Sequence, residues 1–172
     1  MTDYKSNYMN INKLIELIKN RLHIYSAKTY KDGLTVFCDY IRKEYYNTNE
    51  LLYETPYVND EKHGIEKWYY KDGELKYEIP YTNGQIDGIL KWYYEGGKLG
   101  SETPYVNGKR HGIQKVYYST NKLLSETPYE NDKIHGIIKQ YNERGQLKAE
   151  SRYVDGELIS TSSYNDKNVK IS

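Results

Sequence analysis

A chain of 172 residues has room for one ordinary domain or one short repeat array. Its 25 Lys and Arg nearly cancel 24 Asp and Glu, so no strong net field exists to draw in nucleic acid or an anionic membrane. Tyr is in excess, 22 against a single Phe, which predicts half-buried rings with wet tips instead of a thick hydrocarbon core.

Taken from the amino terminus, residues 1–40 are expected to form a cap. Ile11, Leu14, Ile15, Ile18 and Leu22 follow the spacing of an amphipathic helix, with Asn10 as its N-cap and His23 at its tail. Residues 25–40, "YSAKTYKDGLTVFCDY", have the look of a degenerate hairpin. Cys38 is the single cysteine, so no intrachain disulfide can form, and its context suits a small packed hydrophobe better than a catalytic thiol. No secretory leader and no apolar run of about 20 residues is visible, so a soluble, cytoplasmic protein is expected.

From Ile41 the chain repeats itself every 24 residues without a gap as far as Ser160. The five units are 41–64, 65–88, 89–112, 113–136 and 137–160; each has Ile first, Lys third, Tyr fifth, Leu eleventh, Glu fourteenth and Tyr seventeenth. A period of this length marks an array in which each unit buries its apolar surface only against its neighbours. Asp72-Gly73 between strand-like runs predicts a two-residue type I′ hairpin, and a second turn of the "VNGKRHG" kind closes the unit. Each unit is therefore two antiparallel strands, and five units make about ten. Residues 161–172, "TSSYNDKNVKIS", resemble a shortened hairpin or tail.

With Asp72-Gly73 as the loop, Tyr70 opposes Leu75 and Lys67 opposes Glu78. The same count pairs Lys43 with Glu54, Lys91 with Glu102, Lys115 with Glu126 and Lys139 with Glu150. One cross-strand ion pair per unit is a register pin, worth about 0.2 to 1 kcal/mol if exposed. Alternation then puts Glu66, Trp68, Tyr70, Leu75, Tyr77, Ile79 and Tyr81 on a face expected to pack. Ile65, Lys67, Tyr69, Lys76, Glu78 and Pro80 fall on a face expected to meet water.

The phrase Tyr-x-Asn-Gly-Lys-x-His-Gly-Ile-x-Lys, present from Tyr105 to Lys115 and again around Asn83, Gly84 and Gly88, resembles the MORN (membrane occupation and recognition nexus) repeat family. It is similar to the bacterial MORN-variant branch, whose members are often labelled antitoxins. The resemblance covers residues 41–160 and implies a mainly β fold, an elongated single-sheet solenoid of β-hairpins, here with a capping α-helix at its amino end. It also implies a non-enzymatic protein-binding scaffold, with a toxin as one kind of protein partner. The second Gly of the family's pattern is replaced by residues such as Glu66 or Gln114, a departure that weighs against lipid binding. A peripheral membrane module, using the sheet or the 11–22 helix, is the alternative.

No residues point to catalysis, a cofactor or a metal. His63, His111 and His135 share one turn position, but Asp87 interrupts them and equivalent positions lie two strands, about 10 Å, apart, too far for two imidazoles to share a zinc. The Glu column is matched by Lys, leaving no privileged cleft and no surplus cation for a phosphate backbone, so nucleic acid is not favoured. Trp68 and Trp92, with Tyr69, Tyr93 and Tyr117, are the candidate partner-binding residues, because these side chains dominate interface hot spots. For the two Trp the competing reading is that they pack the sheet.

Overall fold

The computed structural model describes residues 24–29, 36–167 and 169–171. They form one 16-stranded antiparallel sheet. Two strands lead in, β1 (Ile24–Thr29) and β2 (Val36–Tyr45). Then follow β3 (Leu51–Val58), β4 (Glu61–Lys62), β5 (Gly64–Tyr69), β6 (Leu75–Thr82), β7 (Gln85–Ile86), β8 (Gly88–Tyr93) and β9 (Leu99–Val106). The far half comprises β10 (Lys109–Arg110), β11 (Gly112–Tyr117), β12 (Leu123–Glu130), β13 (Lys133–Ile134), β14 (Gly136–Tyr141), β15 (Leu147–Val154) and β16 (Glu157–Ser163). Ten main strands from the repeats run in order from β2 to β15, with β1 and β16 outside them, while the two-residue strands β4, β7, β10 and β13 hang on β3, β6, β9 and β12. The helix expected over 11–22 and His23 lie outside the described residues. Cys38 sits in β2, paired with Ala27 of β1.

The expected Lys–Glu register holds in every unit, from Lys43↔Glu54 to Lys139↔Glu150. It holds by a different route from the one expected. Gly73 donates its N–H to the Tyr70 carbonyl and Tyr70 donates to the Glu74 carbonyl, so the loop has three residues, Lys71 to Gly73, with the left-handed φ at Gly73 alone. One residue on, a β-bulge puts Lys76 and Tyr77 together opposite Trp68. The extra loop residue and the extra bulge residue cancel. The type I′ turns lie at the other end of the strands, where Asn83-Gly84 and Asn107-Gly108 both take φ near +50° to +80°.

The bulge also corrects the faces. Leu75 pairs with Tyr69, so the Leu column stands beside the Tyr, Lys and Ile columns. Lys76 moves to the other face, where its Nζ lies 5.2 Å from the Tyr70 ring centre and 5.7 Å from that of Tyr77. The remaining residues keep the expected sides, an isoleucine face and a tryptophan face.

All four prolines in the sequence, Pro56, Pro80, Pro104 and Pro128, sit mid-strand, where a missing N–H would ordinarily break the ladder. Each accepts the N–H of the residue at 63, 87, 111 or 135 on its carbonyl, so its nitrogen faces the same side. There the neighbouring strand is bent away at Gly64, Gly88, Gly112 or Gly136, with φ between 102° and 118°. A Cβ on Gly112 would lie 3.0 Å from the Pro104 ring. The chain carries its own control: Arg152 replaces proline and Ser160 replaces glycine in the fifth unit, and β15 and β16 pair from Ala149↔Ser163 through Val154↔Glu157 with only one irregularity, with no two-residue strand split off.

Among residues 39–167 no apolar side chain is buried; the three buried side chains there are Thr55, Glu66 and Thr103, all on the tryptophan face. Cohesion comes from junctions between units. On the isoleucine face Tyr69, Tyr93, Tyr117, Tyr141 and Tyr164 each donate their hydroxyl to the Glu of the preceding unit, at 2.7 to 3.1 Å. On the tryptophan face Tyr46, Tyr70, Tyr94 and Tyr118 donate to the main-chain oxygen of Tyr69, Tyr93, Tyr117 and Tyr141. The type I′ turns are stitched too, as Gly84 N–H donates to the Lys62 carbonyl and Gly108 to that of Ile86.

Candidate protein-binding face

The isoleucine face consists of three parallel rows. In the middle row Lys and Glu alternate along ten strands, since Lys67 is the Cα partner of Glu78 on one side and of Glu54 on the other, and so on to Glu150. Lys43 closes on Glu54 at 3.3 Å, and Lys91 turns to Glu78 at 3.9 Å. The other within-unit pairs share a register without closing as ion pairs, while each Glu accepts a tyrosine hydroxyl.

On one side of the charged row runs the Tyr–Leu row. Partial burial, the hydrogen bond to Glu78 and that carboxylate's charge push the Tyr93 phenol up to about 12. Tyr69, Tyr117 and Tyr141 are raised for the same reasons. The structure thus places Tyr69, Tyr93 and Tyr117 in one line with their hydroxyls committed to the sheet. Leu99 and Tyr117 line a shallow depression of about 420 Å³ between adjacent hairpins.

On the other side runs a row that the sequence reading did not single out. Ile65, Ile89, Ile113 and Ile137 are 45 to 51% exposed and pair with Pro80, Pro104, Pro128 and Arg152. A lone exposed Ile means nothing, but a regular line of them, two strands apart, is an apolar stripe that one unit alone would not have. Its signal was the first-position Ile of every unit, on the side that also carries the charges.

Trp68 and Trp92 lie on the opposite face and are used differently. Trp68 packs tilted by 30° against Tyr53, ring centres 4.5 Å apart, and donates Nε1 to Glu66 at 2.8 Å. Trp92 has Leu90 in place of Glu66, rests 4.5 Å from the Tyr94 ring centre and covers Gly100, whose added Cβ would fall 2.3 Å from its ring carbons. Both are half-buried parts of the sheet. Gly100→Ala is expected to cost about 1 to 3 kcal/mol by overpacking; in thermal melts the loss should shrink in a Trp92→Ala background, where the ring is gone.

His63, His111 and His135 sit in separate units. His135 Nδ1 lies 3.4 Å from both the carboxylate and the N–H of Asp155, and Asp87 takes the same part toward the Asn107 N–H, so this position steadies the next turn. Among the described residues no three His, Cys, Asp or Glu side chains converge as a metal site, and no helix is long and apolar enough to cross a membrane.

A family model described as "MORN repeat variant" matches residues 41–59, 62–83, 86–107, 110–131 and 134–155. The chain belongs to this family. From the second match onward, each MORN repeat begins at the two-residue strand and ends in the next type I′ turn, so the family's unit is the hairpin between consecutive type I′ turns. No curated protein matches the chain. Among solved structures it is similar to the crystal structure of TarM, at 12% identity and a TM-score of 0.39, over 90% of this chain and 24% of that one. A mutant of S. aureus TarM in complex with fondaparinux, alpha-GlcNAc-glycerol and UDP is similar at 11% identity, with the same TM-score and coverage. The chain thus spans about a quarter of the length of those proteins, and a likeness at that TM-score carries no weight for fold or function.

Proposed function

We propose that this MORN-repeat chain is a non-enzymatic cytoplasmic scaffold that binds protein through its isoleucine face, and that a toxin neutralised by being covered is one such partner. The observation that carries this reading is the stripe of half-exposed Ile beside a line of Tyr and Leu, apolar area that the array itself leaves uncovered. Its regularity suits a partner that lies along several hairpins at once, so affinity is spread over repeated small contacts.

The test uses the full chain as bait against the soluble proteins of its source. Wild type is compared with Ile89→Ser/Ile113→Ser and with Trp92→Ala, and the captured protein is then co-expressed to see whether it arrests growth without the bait. The expected result is a discrete partner whose binding falls at least tenfold in the isoleucine variant and holds in the tryptophan variant. Capture indifferent to the isoleucines would defeat the proposal, as would flotation of the wild type, lost in the isoleucine variant, with lipid vesicles.

A further inference from the structure

The middle row of the isoleucine face is neutral overall and strictly alternating, five Lys and five Glu at one residue per strand. Such a row attracts neither a basic nor an acidic surface. It is complementary only to a surface alternating with the same period, about 9.6 Å between like charges at about 4.8 Å per strand. The same face of another copy has that period by construction.

Resting on the reading of this face as a binding surface, we propose that in the free protein its occupant is a second copy of the chain. The two sheets stack face to face about a two-fold axis that runs parallel to the strands and passes between β8 and β9. This rotation reverses the order of strands and keeps each row at its own height. Since the ten strands of the repeats alternate in type, every row then meets its complement: Lys67 faces Glu126 of the second copy, Ile65 faces Pro128, and Tyr69 faces Leu123. A two-fold axis along the row would instead set Lys on Lys and Glu on Glu. A simple translation would not close and would yield fibres.

The dimensions suit a stable dimer. Ten strands span about 43 Å and three rows about 20 Å, a footprint of roughly 800 Å² per copy, the usual size for a specific interface. Rotation also preserves the hand of the sheet twist, so the strand directions of two identical sheets follow one another over the whole length. A foreign protein would bind by displacing the second copy from the same stripe.

Light scattering and sedimentation of the full chain test this. Wild type is expected at twice the 20.4 kDa chain mass up to roughly 100 µM, and Ile89→Lys/Ile113→Lys as a monomer with unchanged far-UV circular dichroism. Lys67→Glu and Glu126→Lys each set like charges across the axis, so either alone should associate at least tenfold more weakly. An equimolar mixture should recover the dimer, because Glu at 67 then meets Lys at 126. A monomeric wild type, or a dimer indifferent to the isoleucines, overturns self-association. A mixture no tighter than its components overturns the axis. If the wild type is monomeric yet the isoleucine variant loses a captured protein, the binding face stands and only its occupant is wrong; if capture and association are both untouched, both proposals fall.

Discussion

Raising the pH from 10 to 12 is expected to unfold the sheet in a cooperative step, with tyrosine ionisation near 295 nm and loss of far-UV dichroism moving together. Burial, the hydroxyl bond to a Glu and that carboxylate's charge raise the phenols of Tyr69, Tyr93, Tyr117 and Tyr141, Tyr93 to about 12. A raised folded-state pKa means that the stabilisation is complete below the unfolded value of about 10. It is lost as pH climbs through the folded value, because the unfolded chain releases its protons first. Each half-buried phenol contributes on the order of 1 kcal/mol after solvent screening. Because the bonds cross junctions, and an array is only as strong as its junctions, the losses add along the ribbon. Tyr93→Phe should lower the melting temperature at pH 7, and its deficit relative to wild type should narrow above pH 10. Ordinary titration centred at 10 with the sheet intact would contradict this account.

What could be read from the chain, and what could not, divides at the junctions. The 24-residue period was enough for ten strands and for the pairing of Lys67 with Glu78, since a wrong loop length and an unseen bulge compensate. Asp-Gly serves a type I′ turn and a three-residue loop with a left-handed third residue equally well, so Asp72-Gly73 is ambiguous. Asn107-Gly108, the stronger type I′ pair, stood in plain view at the other turn. The bulge at Lys76 has no local signature, because the residue there is Leu52, Lys76, Gly100, Leu124 or Lys148, and it took the Leu column to the other face. The tyrosine–glutamate bonds join residues 14 or 15 apart in neighbouring units, and an account that pairs residues only within a unit passes over them. The two Trp share a sequence position but not a role, which the contrast of Glu66 with Leu90 and of Lys76 with Gly100 would have signalled.

Glu66→Leu is expected to cost about 2 to 4 kcal/mol, from the buried and half-buried donors it leaves behind. Glu66 is 3% exposed, and its carboxylate accepts from Thr55 Oγ1 at 2.7 Å, Lys62 Nζ at 2.6 Å and Trp68 Nε1 at 2.8 Å. Burial alone would raise its pKa, but the bonds from Lys62, Trp68 and Thr55 outweigh it and hold the group below the ordinary carboxylate value of 4.5. The stabilisation is therefore present above that value and fades as acid brings the pH down through the folded pKa. Leucine would leave the Thr55 hydroxyl and the Trp68 indole N–H without their acceptor and the Lys62 ammonium with Tyr81 alone, and because units couple only to neighbours, melting should split, units two to five outlasting the first. The next junction shows how the loss can be undone: Ile79, Ile86 and Leu90 occupy the places of Thr55, Lys62 and Glu66. Transplanting all three, as Thr55→Ile/Lys62→Ile/Glu66→Leu, removes the acceptor with two of its three donors, leaving only the half-buried Trp68 indole N–H as Trp92 already stands over Leu90, and should restore much of the stability. Calorimetry on the single and triple variants decides it; a triple variant as weak as the single one would show that the first junction depends on its charges and not on their mutual satisfaction.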